Sequence, residues 1–169
     1  MNIVVTDANI LIDLCELDIL EEFFSLPYSM SVVGAVWDEL SDEQQQMYTN
    51  YLDNGRFSWV PQENIDLITI TEIKESRQQL SIPDCSSLVY AKEVEGILLT
   101  SDKNLRSTAR ARGVEFRGHL WVFDEMVNSH TMSPVVAVSK LSELRTSVNT
   151  KLGLPANECE AKIRLWSDM

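Results

Sequence analysis

The segment most informative about the fold is Ile3-Val4-Val5-Thr6-Asp7-Ala8-Asn9-Ile10-Leu11-Ile12. Its first four residues form a short β-branched run, which is typical of a buried strand in a parallel sheet. Helical spacing follows, because Ile10, Leu14 and Leu17 fall on one face of a helix. Asp7 stands at the junction, where the strand would end and the helix would begin. This order of elements favours an α/β fold.

The same alternation continues along the chain. Further strands are predicted at 29–33, 57–60, 97–100 and 114–116. Helical patterns fall after residue 33 and at about 64–79, 83–94, 102–112, 119–129, 133–149 and 156–167. Strands that alternate with helices imply parallel pairing through right-handed crossovers. We therefore predict an α/β fold, a three-layer α/β/α arrangement with a central, mostly parallel sheet, followed by a C-terminal helical extension.

Size and composition indicate an ordinary globular protein. The chain has 169 residues, of which 44% are apolar and 24% charged. A chain of this length can bury roughly 70% of its unfolded surface, so it needs no disulfide or structural metal to fold. We assign residues 1–129 to the main domain and residues 130–169 to a helical extension packed on the same domain.

Cysteine usage and apolar runs exclude several classes of protein. Three separated cysteines form no CxxC pair, and His119 and His130 do not stand at zinc-finger spacing. The first residues lack the basic start of a signal peptide. No run approaches the length of about 18 apolar residues that a membrane span needs. We expect a cytoplasmic protein without a membrane partner.

Four acidic side chains are predicted to converge at one edge of the sheet. In open parallel sheets, ligands gather beyond the carboxyl ends of the strands. Two aspartates follow predicted strands, a third opens the helix that leads into strand 97–100, and a glutamate lies one to two turns into the helix after the second strand. In that order, these residues are Asp7, Asp102, Asp84 and Glu39.

Each acid also has a purely structural interpretation. All three aspartates lie where helices begin, and aspartate is a favoured N-cap. Glu39 lies beside Asp38 and just before Ser41-Asp42-Glu43, which is typical of solvated surface. The functional interpretation depends on the whole set, because three capping acids and a glutamate at one sheet edge are hard to attribute to coincidence.

The chemistry of such a set favours a divalent cation. Carboxylates that are forced together raise each other's pKa, and a cation removes that penalty. Hard oxygen ligands suit Mg²⁺ or Mn²⁺ rather than zinc. Such an ion lowers the pKa of bound water and stabilises charge on phosphodiester oxygens. Metal-assisted hydrolysis of a phosphodiester is therefore the reaction that these residues fit.

In this order, the motifs resemble those of the PIN-domain family, which includes the VapC-type toxins. The resemblance spans about residues 3–117 and rests on four segments: Val4–Ile12, Val36-Trp37-Asp38-Glu39-Leu40, Asp84 with Ser87-Leu88-Val89-Tyr90-Ala91, and Leu98–Arg106. It implies a Mg²⁺- or Mn²⁺-dependent endoribonuclease that leaves a 5′-phosphate. Some members have a further acid shortly after the fourth, where this chain has Lys103 and Asn104.

Carried over residue by residue, the resemblance implies roles for seven side chains. The catalytic residues and metal ligands would be Asp7, Glu39, Asp84 and Asp102, and supporting hydrogen bonds would come from Asn9, Thr100 and Ser101. The implied partners are RNA and, for a toxin of a toxin–antitoxin pair, an antitoxin protein. Apolar helix faces in the extension would pack in the core, or bury the antitoxin or a second copy of the chain.

Net charge is the main objection to a nucleic-acid enzyme. The chain carries 14 basic and 26 acidic residues, a net charge of −12. Eight of the 14 basic residues lie between Lys74 and Arg117, however, and Lys103, Arg106 and Arg110 share one predicted helix face beside Asp102. This strip would hold RNA phosphates, or it would be an ordinary solvated face.

Two other functions compete with the nuclease. A haloacid-dehalogenase-like phosphatase also places an aspartate after its first strand, but it needs a second one two residues on, where this chain has Asn9. A catalytically silent PIN-like interaction module would bind a partner without cutting RNA. Retention of all four acids favours the enzyme.

Overall fold

Five parallel strands form the central sheet of the computed structural model, which describes residues 2–169. The order across the sheet is β3-β2-β1-β4-β5, and every pair of neighbours is parallel. This confirms the predicted parallel α/β sheet. The strands are β1 Ile3–Thr6, β2 Ser29–Val33, β3 Phe57–Val60, β4 Ile97–Leu99 and β5 Glu115–Arg117.

Helices surround the sheet and match most of the predicted segments. They are α1 Ala8–Leu17, α2 Leu20–Phe24, α3 Gly34–Trp37, α4 Asp42–Asp53, α5 Leu67–Ser76, α6 Ile82–Glu93, α7 Lys103–Ala111, α8 His119–Asn128, α9 Pro134–Glu143 and α10 Ala156–Ser167. A 3₁₀ turn at Gln62–Asn64 and a π-helical turn at Leu144–Val148 complete the elements. Within residues 2–169, no helix is both long enough and apolar enough to cross a bilayer.

Strands β1 and β4 lie at the centre of the sheet and are buried on both faces. Val4, Val5, Leu98 and Leu99 have no exposed surface. Burial on both faces explains why these strands read as continuous apolar runs rather than alternating ones. Because β1 and β4 are parallel neighbours, the residues that follow them emerge side by side at one edge of the sheet.

The C-terminal extension packs against the sheet domain through apolar side chains. Leu141 of α9 and Leu144 of the π-helical turn are fully buried. Trp166 of α10 is also buried, and its ring centroid lies 6.1 Å from that of Phe123 in α8. Burying side chains of this size contributes roughly 1.5–3 kcal/mol each. The extension is therefore part of the folded core.

Candidate functional site

Asp7 lies where β1 ends and begins α1 as its N-cap. Its Oδ1 accepts a hydrogen bond of 2.8 Å from the backbone N–H of Ile10. Its own backbone N–H donates to the carbonyl of Leu99 over 3.2 Å, so the end of β1 is fastened to β4. The Asp7 side chain is only 4% exposed. A buried carboxylate therefore stands between the two central strands.

Thr100 connects Asp7 to Asp102. Asp102 is the N-cap of α7, and its Oδ1 accepts from the backbone N–H of Leu105 over 2.8 Å. The Asp102 backbone N–H donates to Thr100 Oγ1 over 3.1 Å, and the Thr100 side chain is also hydrogen-bonded to Asp7. Since the hydroxyl oxygen accepts from Asp102, the hydroxyl hydrogen is free to point at Asp7. Thr100 thus joins the first and fourth motifs.

Asp84 lies in the first turn of α6 and interacts electrostatically with two of the other acids. It forms a capping box with Ser81, in which Asp84 Oδ2 accepts from the Ser81 backbone N–H over 3.0 Å. Helix α6 packs against β1, β2, β4 and α3. The negative charge of Asp84 raises the pKa of both Asp7 and Glu39. Asp84 is therefore near both carboxylates.

Glu39 does not lie in the helix in which the sequence placed it. Helix α3 ends at Trp37, and Glu39 follows in an exposed turn closed by a hydrogen bond of 3.0 Å from its backbone N–H to the Val36 carbonyl. The prediction failed because Ser41 begins a new helix with its own capping box, so the chain must turn between the two. The placement in a helix was wrong, although Glu39 still experiences the charge of Asp84.

Burial raises the pKa of Asp7 and Glu39. Desolvation is the largest cause that raises the pKa of Asp7 from its usual value of 3.8 to about 6, and Asp84 adds to it. Hydrogen bonds from Thr100 and the Ile10 backbone oppose the rise, as does His119. Desolvation also leads the upward shift in the pKa of Glu39. A divalent cation would stabilise both charged forms.

The donor set suits a hard cation, although it is not gathered into a closed cluster. Among residues 2–169, no group of three or more His, Cys, Asp or Glu side chains is arranged to hold a metal ion. Asp7, Asp84 and Asp102 do cap helices, as the structural interpretation predicted. For Asp84 and Asp102, capping occupies one carboxylate oxygen. Their second oxygens, together with Asp7 and Glu39, would supply the oxygen ligands that Mg²⁺ and Mn²⁺ prefer.

A buried hydroxyl beside these acids also lacks a partner. Ser87 Oγ is the buried side-chain polar atom without a hydrogen bond in the described part of the chain. Ser87 lies three residues after Asp84, hence on the same side of α6. Buried polar groups normally find a partner, and water supplies it where protein does not. This hydroxyl fits a hydrated site next to Asp84.

The shifted pKa of Asp7 predicts an unusual pH dependence of stability. A carboxyl whose folded pKa exceeds its unfolded pKa holds its proton more tightly when folded, so stability falls as pH rises between the two values. Without metal, Asp7 alone should cost the wild type about 2 kcal/mol of stability between pH 4 and 7, and Asp7→Asn should remove this contribution. Urea unfolding in chelator across that range measures it. Asp53→Asn, an exposed change in α4, should retain the wild-type dependence of unfolding free energy on pH. The same dependence in Asp7→Asn would contradict the prediction.

A pocket of about 830 Å³ opens beside Asp102. Its walls come from the first turns of α7 and α8, from Phe116 and Arg117 of β5, and from residues 149–155 ahead of α10. Asn9 and Ser101, two of the predicted supporting residues, also line it. The extension therefore forms one wall of the pocket next to the candidate site.

The three predicted RNA-binding residues occupy different positions. Lys103 and Arg106 line the pocket, whereas Arg110 does not. The guanidinium carbons of Arg106 and Arg110 lie 5.3 Å and 5.1 Å from the centroid of the Phe116 ring. Arg106 Nε also donates to the Thr100 carbonyl over 2.8 Å. Arg106 is therefore partly engaged in holding the Thr100 loop, and an RNA role for these residues stays a prediction.

Asp13 and His119 form a buried pair that the sequence analysis did not predict. His119 Nε2 lies 2.8 Å from Asp13 Oδ2, and its Nδ1 lies 2.7 Å from Ser101 Oγ. Asn149 Nδ2 donates to the same carboxylate over 3.0 Å. One signal was available: Asp13 lies three residues after Ile10, on the apolar face of α1. An acid on a buried face requires a polar partner.

Comparison with known proteins identifies the family. A family model described as a PIN domain matches residues 3–152 of this chain. The chain belongs to the PIN-domain family. All four motifs singled out in the sequence fall inside the matched segment, so the resemblance is confirmed.

A solved structure is also similar to this PIN-domain protein. It is a PilT N-terminus domain protein from the hyperthermophilic archaeon Sulfolobus solfataricus P2, with 13% sequence identity and a TM-score of 0.47. The alignment covers 75% of this chain and 92% of that chain. A search of curated proteins found no match.

Family membership indicates a general class of chemistry. PIN domains are generally nucleases and typically use divalent metals, so this fold is one that supports nuclease activity. The phosphatase alternative loses its basis, since that enzyme belongs to a different family and the residue it needs is replaced by Asn9.

Proposed function

We propose that this PIN-domain protein is a metal-dependent endoribonuclease that hydrolyses RNA phosphodiester bonds. Asp7, Glu39, Asp84 and Asp102 would hold Mg²⁺ or Mn²⁺. The observation that carries the proposal is geometric: Asp7 and Asp102 cap helices at the adjoining ends of the parallel strands β1 and β4, and Asp84 lies in the first turn of α6, which packs on both strands. Burial raises the pKa of Asp7 and Glu39, and the charge of Asp84 adds to both shifts. A cation shared among these residues would relieve both penalties.

The chain's own residues would orient the site. Thr100 holds the Asp7 carboxylate and the Asp102 backbone together, and the three N-cap or capping-box contacts fix the aspartates at helix starts. When bound, the metal would activate water and stabilise charge on the scissile phosphate. Water would attack phosphorus as the bond to the 3′ oxygen breaks, which leaves a 5′-phosphate and a 3′-hydroxyl.

A catalytically silent interaction module is the second candidate. It is favoured by the helix-capping contacts of the three aspartates and by the lack of a closed acidic cluster in residues 2–169. The toxin role, and the antitoxin and homodimer partners, remain predictions because they depend on family resemblance and on apolar helix faces alone.

Metal-dependent cleavage separates the two candidates. We expect the purified full chain to cut labelled single-stranded RNA in Mn²⁺ or Mg²⁺ and to leave it intact in chelator, because without the cation nothing lowers the pKa of the attacking water or offsets the charge on the scissile phosphate. Gel analysis with and without phosphatase treatment identifies the 5′-phosphate. Intact RNA in both metals would favour the interaction module, and equal cleavage in chelator would overturn metal dependence.

A further inference from the structure

The pocket beside Asp102 is a basic region of an acidic protein. Four cationic side chains line it, against the two acids Asp102 and Glu158, which leaves a local charge of 4 − 2 = +2. The whole chain carries −12. A concave site of opposite sign to the rest of the surface concentrates anions. The cations are Lys103, Arg106, Arg117 and Lys151.

Three of these cations are available to a ligand. Lys103 and Lys151 are exposed and form no ion pair within the described chain. Arg117 pairs with Glu115 at 2.9 Å, but both side chains are about half exposed, so the pair is weak. Arg106 is the exception because its Nε is bonded to the Thr100 carbonyl. The free cations thus come from α7, β5 and the extension.

The rest of the lining suits nucleobases. Phe116 supplies a half-buried ring beside the guanidinium groups of Arg106 and Arg110. Trp121 supplies a half-buried ring that packs on one side against Tyr28. The extension adds apolar surface from Leu152 and Leu154. Aromatic platforms beside cations are the usual means of binding a single strand, since bases stack while phosphates pair with Lys and Arg. The volume of about 830 Å³ lies within the range of about 300–1,000 Å³ that ligand sites occupy.

Buried hydrogen bonds fix the extension as a wall of this pocket. Asn149 donates to Asp13 over 3.0 Å, Asp13 bonds to His119 over 2.8 Å, and His119 bonds to Ser101 over 2.7 Å. Asn149, His119 and Ser101 all line the pocket. This chain of contacts connects the extension directly to the loop that carries Asp102. The start of this wall is therefore fixed in position relative to the loop that carries Asp102.

We propose that this pocket binds one segment of a single-stranded RNA next to the cleavage site, and that the C-terminal extension supplies part of it. Lys103, Arg117 and Lys151 hold phosphates, and the aromatic and apolar lining of the pocket receives a base. The inference rests on the proposed nuclease function for its substrate class. It adds two binding residues, Arg117 and Lys151, and gives the extension a role in substrate recognition.

Binding without cleavage tests the inference. We would measure anisotropy of a labelled single-stranded RNA decamer in chelator at several salt concentrations, for the wild type and for Arg117→Ala with Lys151→Ala. The matched control is Lys140→Ala with Arg164→Ala, which removes the same charge outside the pocket. Each phosphate contact to a single strand contributes about 0.7 to the salt slope, so the pocket pair should lower it by about 1.4 and weaken binding. The control should match the wild type.

Several outcomes overturn the inference. One is an Arg117→Ala, Lys151→Ala variant whose affinity and salt dependence equal those of the control variant. Another is a wild type that does not bind the decamer. A third is a mononucleotide that competes as well as an equal concentration of decamer, which would indicate a small-molecule site. Failure of the proposed function gives a different result. If the wild type binds RNA through Arg117 and Lys151 but never cuts it, the pocket proposal stands and the nuclease proposal is wrong.

Discussion

Asp7→Asn and Asp102→Asn should each lower metal-dependent RNA cleavage by at least about a hundredfold. Loss of an outer-shell partner alone typically costs about 10–100-fold in metal affinity or activity, and these residues would contact the metal itself. Asparagine caps helices as well as aspartate does, so the Ile10 and Leu105 hydrogen bonds survive the change. Initial rates of RNA cleavage in Mn²⁺ measure the effect.

The same substitution at a remote N-cap separates metal binding from capping. Asp66 begins α5, where its Oδ1 accepts from the Ile68 backbone N–H over 3.0 Å. Asp66→Asn should cleave RNA at the wild-type rate. If Asp7→Asn and Asp102→Asn retain activity within a few-fold of Asp66→Asn, these aspartates are structural caps and not metal ligands.

His119→Ala should have the largest effect on stability. It removes the imidazole that is hydrogen-bonded to both Asp13 and Ser101, and it leaves Asp13, which is 3% exposed, with Asn149 alone. Removing a hydrogen-bond partner of a buried carboxyl group typically costs about 1–3 kcal/mol, because the group is left partly unsatisfied. Urea unfolding at pH 7 measures the loss of free energy.

A double-mutant cycle identifies the cause of that loss. Asp13→Ala together with His119→Ala removes the charge as well as its partner, so the double variant should lose clearly less than the sum of the single variants. Strict additivity, or a cost below about 1 kcal/mol for His119→Ala, would show that the pair does not hold the extension to the Asp102 loop.

The sequence predicted the sheet well because its strands carry local signals. The β-branched and apolar runs at 3–6 and 97–100 are buried on both faces, and the structure has strands there to within one residue. Helix α4 was missed because it is almost wholly polar and buries only Tyr48 and Tyr51. Glu39 was misplaced for the related reason that α3 is a single turn.

The sequence could locate only those site residues that have a local signal. Strand ends and helix starts located Asp7, Asp84 and Asp102, since each of these is a local feature. The bond between Asp13 and His119 joins residues 106 positions apart, and no periodicity reports such a partner. The pocket wall was missed for the same reason, because Lys151 reaches the Asp102 loop only through tertiary packing.

A crystal structure with Mn²⁺, examined by anomalous scattering, tests the proposed metal site most directly. We expect a Mn²⁺ peak at the carboxyl edge of β1 and β4, coordinated by Asp7 and by oxygens of Asp84, Glu39 and Asp102. A map with no peak there, in which the three aspartates contact only the backbone amides that they cap, would contradict it.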